Sequence, residues 1–182
     1  MLGIEKASLI IVCLSALTIG FYHLLSKNRG IIQVLFAFLA LILAVISGIQ
    51  ITIIYAFVNS SLTLLLRLSL VLLVLGCELS FHIVQLYPGR IIKKQIPYIL
   101  FWSVPGLAVS IITAATPFVV KSTVLKESLL IEWGLLTPVY LVTLTSYLLA
   151  TPLLLTIRSF RTTNRAFSRE MRYVSAGFLL VL

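Results

Sequence analysis

Aspartate is absent from this chain of 182 residues, and charged residues of any kind are scarce. Only 10% of the residues are charged, against about a quarter in a typical soluble domain. The hydrophobic share is 60% and the mean hydropathy is +1.16. These values exclude an ordinary soluble domain, and they exclude a disordered chain because disordered chains are poor in apolar residues. The composition is that of a membrane protein.

Cysteine and histidine are also scarce, with two of each in the chain. Cys13, Cys77, His23 and His82 have no neighbours at the spacing of a metal site or a disulfide framework. A glycine-rich phosphate loop, a pair of catalytic carboxylates and a Gly-x-Ser-x-Gly elbow are missing as well. The sequence therefore predicts no metal, no cofactor and no catalytic residue in this segment.

Long apolar runs dominate what is present. A membrane helix needs about 20 mostly apolar residues, because each residue rises 1.5 Å through a hydrocarbon layer about 30 Å thick. The fold class that follows is an all-α membrane protein, a polytopic bundle of transmembrane helices. The five predicted spans are Ala7 to Leu25, Gly30 to Ile54, Leu62 to Leu86, Ile96 to Val120 and Leu135 to Ile157.

A sixth apolar run begins near Tyr173 and reaches Leu182. About ten residues cannot cross a bilayer. We therefore expect this helix to continue beyond Leu182, so that residues 1–182 form a transmembrane domain that is incomplete at its C-terminal end.

Small residues recur at helical spacing in the second and fourth spans. Such residues let helix backbones approach closely, so they predict faces on which helices pack. They are Ala37, Ala40, Ala44, Ser47 and Gly48 in the second span and Ser103, Gly106, Ser110 and Ala114 in the fourth.

Lysine and arginine fall mainly on one side of the predicted bundle. Ten of the 14 follow the first, third and fifth spans, whereas Lys6, Lys121 and Lys126 lie on the other side. Cytoplasmic loops of membrane proteins carry the excess of these residues. The bias predicts a multi-pass protein of the cell (inner) membrane with its N-terminus outside.

The basic side should contact anionic lipid headgroups, an attraction worth about 1 kcal/mol for each lysine or arginine near the surface. A nucleic-acid partner is not expected, because the basic residues are divided among three loops and lack interleaved stacking aromatics. The residues expected to anchor the cytoplasmic side are Arg90, Lys93, Lys94, Arg158, Arg161, Arg165, Arg169 and Arg172.

The third span carries ionisable residues inside an apolar stretch. At about 100° per residue, Glu78, His82 and Gln85 share one face and form an intramembrane polar stripe. Ionisable groups at this depth normally face the bundle interior or a water-filled cavity. The stripe is either a proton relay, an ion relay or a ligand contact, or it is a buried structural glutamate that is protonated or paired with His82.

A second polar group lies at the predicted outer side. Arg67 is about 16 Å from Glu78 along the helix axis, so we expect it to extend outward rather than pair with Glu78. Trp133 and Tyr140 either line an outward-facing pocket or serve as interfacial anchors. The candidate ligand-binding residues are therefore Arg67, Glu78, Trp133 and Tyr140. Two β-prone runs around a polar turn, within residues 119–134, predict a small external hairpin.

Three stretches of the chain resemble a known family, the N-terminal seven-helix membrane sensor region of bacterial histidine kinases and related transducers. The first, CELSFHIVQLYPGR at 77–90, is similar to a His-containing helix end that runs into a Tyr-Pro loop. The second, IEWGLLTPVYLVTLTSYLLATPLLL at 131–155, resembles the aromatic-Gly segment that opens the fifth helix. The third, RSFRTTNRAFSREMRYVSAGFLLVL at 158–182, resembles the Arg-rich loop before the sixth helix. The family's seventh helix and its output domain are missing from the chain.

The resemblance implies an input module that passes an external or membrane-borne cue to a cytoplasmic kinase, cyclase or phosphatase domain. The implied partners are the lipid bilayer, a small-molecule or membrane cue, the output domain and a second copy in a homodimer. The parent protein would then be a histidine kinase or a related transducer, with no catalytic residue in this segment.

Two other functions remain open. One is a small proton-coupled transporter or channel subunit that uses Glu78 and His82, although no inverted repeat is evident. The other is a membrane enzyme acting on lipid, although the chain lacks a cluster of His, Asp or Ser at the cytoplasmic edge.

Overall fold

The computed structural model describes the backbone of residues 2–25, 30–55, 59–86, 96–125, 129–162, 168–169 and 171–176. The elements in chain order are α1 (Leu2–Leu25), α2 (Ile31–Tyr55), α3 (Asn59–Leu86), α4 (Ile96–Ala115), β1 (Val120–Leu125), β2 (Leu129–Trp133) and α5 (Thr137–Arg161). All five helices are long and apolar enough to cross a membrane. The chain is therefore a polytopic α-helical membrane protein, as predicted. The side that the N-terminus faces stays a prediction.

The end of the fourth span differs from the sequence prediction. Its apolar pattern runs to Val120, but α4 ends at Ala115 and Val120 begins β1. Pro117 lies just beyond the helix and has no backbone N–H to continue it. The predicted boundary was wrong because hydropathy does not distinguish a helix from the apolar turn and strand that follow it.

The predicted hairpin is confirmed. β1 and β2 pair antiparallel, with Val120 opposite Trp133 and Thr123 opposite Ile131. The hairpin packs against α3, where Thr63 Oγ1 lies 2.8 Å from Thr123 Oγ1. We call this the hairpin end of the bundle, and the opposite end, where α5 finishes at Arg161, the arginine-rich end.

The central element is α3, which packs against α2, α4, α5 and β1. The apolar cluster toward the hairpin end consists of Val74, Val109, Val119, Val120 and Tyr140. The apolar cluster toward the arginine-rich end consists of Val84, Leu155 and Met171. The stretch of α3 between these clusters carries Glu78 and His82, so both residues lie inside the bundle rather than at its surface.

α1 packs against the face of α2 that carries small residues. Ala37 and Ala44 are buried, and a Cβ atom built on Gly20 of α1 would lie 3.1 Å from the Leu41 side chain. Cys13 Sγ lies 3.5 Å from the Ala44 carbonyl oxygen, in range of a weak S–H donor. The predicted packing face of the second span is therefore confirmed for Ala37, Ala40, Ala44 and Ser47, which are buried, but not for Gly48, where an added Cβ atom would meet nothing within 4 Å.

A short helical segment at residues 171–176 returns along α5. Ser175 Oγ donates to the Pro152 carbonyl oxygen at 3.0 Å and lies 2.8 Å from Thr156 Oγ1. The predicted sixth helix begins within this segment. The remainder of that prediction, residues 177–182, lies outside the described part of the chain.

Candidate functional site

A polar cluster lies between α3, α4 and α5. We call it the Glu78 cluster, and its members are Glu78, His82, Ser103, Gly106 and Tyr147. One turn of α3 separates Glu78 from His82, and their side chains are only 9% and 10% exposed. A buried carboxyl and a buried imidazole are stable only where polar partners replace water.

The Glu78 carboxyl lies directly against the backbone of α4. A Cβ atom built on Gly106 would overlap Glu78 Oε2 and would lie 3.0 Å from Glu78 Cδ. Glycine at this position therefore makes the room for the carboxyl. Glu78 Oε1 is 3.6 Å from His82 Nε2, longer than a hydrogen bond, and Oε2 has no hydrogen-bond partner among the residues described.

His82 extends the cluster toward the arginine-rich end. Ser103 Oγ donates to the Ile99 carbonyl oxygen at 3.0 Å, which leaves its oxygen to accept from His82 Nε2 at 2.8 Å. His82 Nδ1 lies 3.3 Å from Gln85 Oε1. An imidazolium satisfies both contacts, and so does a neutral ring protonated on Nε2 if the Gln85 amide turns its nitrogen toward Nδ1.

Tyr147 of α5 inserts its hydroxyl into the backbone of α4. It accepts from the Gly106 N–H at 3.2 Å and donates to the Trp102 carbonyl oxygen. These two backbone groups bond each other in a regular α-helix, because residues 102 and 106 are four apart. Pro105, between them, has no N–H of its own to donate. α4 is continuous here but lacks the bond that residue 105 would donate, and the Tyr147 hydroxyl of α5 bonds the backbone of the same turn.

Phe81 closes the cluster on its apolar side. Its ring centroid lies 5.7 Å from those of Trp102 and Tyr147, and it is 3% exposed. Aromatic pairs at this distance and tilt are favourable beyond their burial. Phe81 therefore packs against one aromatic ring from each of the two helices that border the cluster.

The structure divides the candidate ligand-binding residues between two places. Arg67 donates from Nε and Nη2 to the Val120 carbonyl oxygen, at 3.0 and 2.6 Å. The Tyr140 hydroxyl donates to a carbonyl oxygen of α3 at 3.0 Å, and Trp133 is half exposed at the end of β2. These three lie near the hairpin, whereas Glu78 lies about 16 Å from Arg67 along α3. Their binding role stays a prediction.

The residues of the site that sequence reasoning did not assign to it are Ser103, Gly106 and Tyr147. Ser103 and Gly106 were predicted only as packing positions. The Pro105-Gly106 pair inside an apolar span could have indicated that Ser103 and Gly106 belong to a site, since proline and glycine each weaken a helix. Nothing in the spacing along α5 distinguishes Tyr147 from other interior aromatics.

The predicted anchoring residues are described in part. Arg90, Lys93, Lys94 and Arg165 lie outside the described residues. Arg158 Nη1 donates to the Val84 carbonyl oxygen at 2.5 Å, while Arg161 and Arg169 are exposed. The Arg172 guanidinium lies 4.9 Å from the centroid of the Phe160 ring. Among the anchoring residues that the structure describes, Arg158 is thus the one with a hydrogen bond to the backbone of α3.

Two cavities lie among the described helices. An apolar groove of about 320 Å³ opens between α2, α3 and α5 and includes Gly76, Cys77 and Tyr147 in its wall. A smaller cavity of about 240 Å³ lies at the arginine-rich end and is lined by Gln85, Tyr98, Ile99, Trp102, Leu154 and Arg158. Within the described ranges, no three His, Cys, Asp or Glu side chains are grouped so that they could hold a metal ion.

At the hairpin, Glu132 accepts hydrogen bonds from Lys121 Nζ at 2.6 Å and from Ser122 Oγ at 2.9 Å. The Lys121 bond, followed by the Ser122 bond, lowers the pKa of Glu132 below its ordinary value. A depressed pKa means that the carboxylate stabilises the hairpin above the unfolded-state pKa and that this contribution is lost as pH falls through the folded-state value.

We therefore expect amide hydrogen exchange in β1 to speed up when pH falls below about 4.3, the ordinary pKa of glutamate, after correction for intrinsic exchange. The effect should be small because the pair is exposed. Glu132→Gln should remove this acid dependence. The explanation fails if wild type and Glu132→Gln respond to acid identically.

The Glu78 cluster can exchange a proton at a carboxyl or an imidazole, can accept a hydrogen-bond donor at Glu78 Oε2, and can change how three helices pack. These capacities follow from the geometry of the chain itself. Comparisons with protein-family models, curated proteins and solved structures found no match.

Proposed function

We propose that the chain is the membrane-embedded input module of a bacterial signal-transduction protein. In this proposal it lies in the cell (inner) membrane with its N-terminus outside and passes an external or membrane-borne cue to a cytoplasmic kinase, cyclase or phosphatase domain. The observation that carries the proposal is the buried carboxyl of Glu78, whose Oε2 lies against Gly106 without a hydrogen-bond partner among the described residues. The resemblance to the seven-helix sensor regions supports it from the sequence.

A sensor needs two helix arrangements that differ in affinity for the cue. Ser110 Oγ, one turn beyond Gly106 on α4, is also buried and without a hydrogen-bond partner in the part of the chain described. Leaving such groups unpaired is costly. Ser110 is four residues from Gly106, so a slide of α4 along α3 by one turn, about 6 Å, would bring its hydroxyl beside the Glu78 carboxyl and give the bundle a second arrangement.

Pro105 leaves α4 without one regular helix bond, so the helix can bend at this level when it moves. The Tyr147 hydroxyl bonds both the Gly106 N–H and the Trp102 carbonyl oxygen, so a movement of α4 would be passed to α5. Motion of α5 would then reach its last turn, which carries Arg158 and Arg161. In this account the cue acts at the Glu78 cluster and the output lies beyond the arginine-rich end.

The test replaces Glu78 with Gln, which keeps the size of the side chain and removes its ability to ionise. Strains carrying wild type, Glu78→Gln or the hairpin control Glu132→Gln on the chromosome are compared at equal membrane levels of the protein. We expect a defined set of transcripts to change more than about threefold in Glu78→Gln alone. Transcript profiles that are the same in all three strains would contradict the proposal.

A second candidate, a small proton-coupled transporter or channel subunit, is favoured by one observation. A line of three polar side chains leads from the cavity at the arginine-rich end to the buried carboxyl. Gln85 Oε1 is 3.3 Å from His82 Nδ1, and His82 Nε2 is 3.6 Å from Glu78 Oε1. Proton flux into liposomes containing the purified chain distinguishes the two functions. The sensor proposal expects flux no greater than in empty liposomes, whereas flux that Glu78→Gln abolishes would favour the transporter.

A further inference from the structure

We propose that Glu78 and His82 hold one proton in common, and that its transfer from His82 Nε2 to Glu78 Oε1 converts an ion pair into a neutral pair. The two atoms lie 3.6 Å apart across one turn of α3. In this step the Nε2–H bond breaks and an Oε1–H bond forms, so the pair has no net charge before or after it. The shared proton can be tested by itself, whereas its use as the switch of a sensor rests on the function proposed above.

The contacts of His82 favour the ion pair as the resting form. Nε2 faces the Ser103 hydroxyl oxygen at 2.8 Å, and the hydrogen of that hydroxyl goes to the Ile99 carbonyl oxygen. Nδ1 faces Gln85 Oε1 at 3.3 Å. Each ring nitrogen therefore has an acceptor in front of it, as an imidazolium requires. The Glu78 carboxylate beside the ring supplies the opposite charge.

The transfer leaves both ring nitrogens with a partner. Nδ1 keeps its hydrogen and its contact with Gln85. Nε2 becomes an acceptor, and it can accept from the new Oε1–H group or from the Ser103 hydroxyl once that hydroxyl turns away from Ile99. A net charge would be costly at this depth, and the transfer creates none. The charged and neutral forms can therefore interconvert without unpairing the ring.

The neighbouring elements offer the pair little charge of their own. The other charged and titratable residues described on α3, on the elements packed against it and after α5 are Arg67, Cys77, Tyr55, Tyr98, Lys121, Glu132, Tyr140, Tyr147, Arg158, Arg161, Arg169, Arg172 and Tyr173. Of these, Tyr147 belongs to the Glu78 cluster, and its hydroxyl bonds the backbone of α4. A charge on Glu78 or on His82 alone would thus lack an opposite charge within the cluster.

The transfer also connects the pair with the packing of α4. Oε1 and Nε2 have to approach by roughly 0.5 Å to come within hydrogen-bond range. The other carboxyl oxygen, Oε2, lies against Gly106, whose N–H donates to the Tyr147 hydroxyl. A carboxyl that moves toward His82 therefore changes its contact with α4 at the residue that α5 also bonds.

The test is solid-state nuclear magnetic resonance of the full chain in bilayers, with isotope-labelled histidine and glutamate. The chain has two histidines, so His23→Gln leaves His82 as the one observed ring. At neutral pH the ring should carry hydrogen on both nitrogens in this background. When Glu78→Gln is added it should carry hydrogen on one nitrogen, because a lone buried charge is given up. A ring with the same protonation in the two proteins would overturn the proposal.

A second variant keeps both members of the pair and decides the question if Glu78→Gln does not fold. Ser103→Ala removes one acceptor of the imidazolium, so it should lower the ratio of charged to neutral pairs about tenfold, the effect of losing a hydrogen bond to a charged group. The protonated fraction of Glu78 should rise by the amount that the doubly protonated fraction of His82 falls. An unchanged ratio, or a loss at His82 without the matching gain at Glu78, would overturn the proposal.

The matched control is Ser80→Ala, which removes a similar hydroxyl-to-backbone bond on α3, from Ser80 Oγ to the Gly76 carbonyl oxygen. It should change neither signal. The function proposed above fails separately: a shared proton together with wild-type transcripts in Glu78→Gln would keep this inference and remove the sensor role. Altered transcripts with a His82 ring that ignores Glu78→Gln would do the reverse.

Discussion

Gly106→Ala is expected to lower the free energy of unfolding by about 2 kcal/mol, the usual cost of overfilling a packed interior. The new Cβ atom would overlap Glu78 Oε2 and would lie 3.2 Å from the Tyr147 hydroxyl oxygen. Glu78 is buried, so its carboxyl cannot swing into water, and the Tyr147 hydroxyl is held by two backbone groups of α4. In an unobstructed helix the same change is stabilising, so the expected sign opposes helix propensity.

The matched control is Gly48→Ala in α2, where an added Cβ atom would meet nothing within 4 Å. Unfolding by SDS, followed by circular dichroism in mixed micelles, measures both variants. Gly48→Ala should be neutral or slightly stabilising. The contact itself is tested by combining Gly106→Ala with Glu78→Ala, since residues in contact are not additive. In the Glu78→Ala background, we expect Gly106→Ala to lower the free energy of unfolding by less than half as much as it does in wild type. Equal reductions in the two backgrounds would refute the contact.

Gly134→Ala is expected to be more destabilising, by about 3 kcal/mol, at the upper end of the range for overpacking. The added Cβ atom would overlap the Phe118 carbonyl group and would lie 2.6 Å from the Pro117 carbonyl oxygen. Unlike a carboxylate, these backbone atoms cannot rotate away. The Gly134 N–H donates to the Val119 carbonyl oxygen at 2.9 Å, and the Leu136 N–H donates to the Phe118 carbonyl oxygen at 2.8 Å. These two bonds hold residues 118–119 and residues 134–136 against each other.

The damage from Gly134→Ala should be greatest at the hairpin end. We expect hydrogen exchange to speed up most in β1 and in the first turn of α5, with little change in α1. The SDS unfolding assay measures the change in the free energy of unfolding of the whole protein, with Gly48→Ala again as the control. Wild-type stability together with wild-type exchange in β1 would show that the crossing of residues 117–119 with Gly134 is not as tight as described.

Much of the fold could be predicted from the sequence, because the bilayer imposes a simple constraint. Helices that cross it need long apolar runs, and the described part of the chain has five of them. The stripe of Glu78, His82 and Gln85 could be placed on one face of α3 because helical spacing alone decides that. The hairpin could be predicted because β-prone runs flank a short polar turn.

What could not be predicted depends on which residues meet across helices. Arg67 was expected to extend outward, but its partner, the Val120 carbonyl oxygen, is known only once α4 ends early and β1 folds back onto α3. The insertion of the Tyr147 hydroxyl into α4 likewise depends on the rotation and depth of α5. Spacing along one helix carries no information about either.

The Glu78 carboxyl packs against Gly106 of α4, and Tyr147 of α5 bonds the same residue, so we expect Glu78 to set how α4 and α5 pack. Electron paramagnetic resonance tests it most directly, with spin labels introduced as non-natural amino acids at Val104 and Leu149, which are 62% and 59% exposed on those helices. The chain is reconstituted in bilayers with Glu78 or with Glu78→Gln. We predict that the substitution changes the α4–α5 distance distribution and leaves that between labels at Leu14 and Val45, on α1 and α2, unchanged. An α4–α5 distribution that is identical in the two proteins would contradict the account.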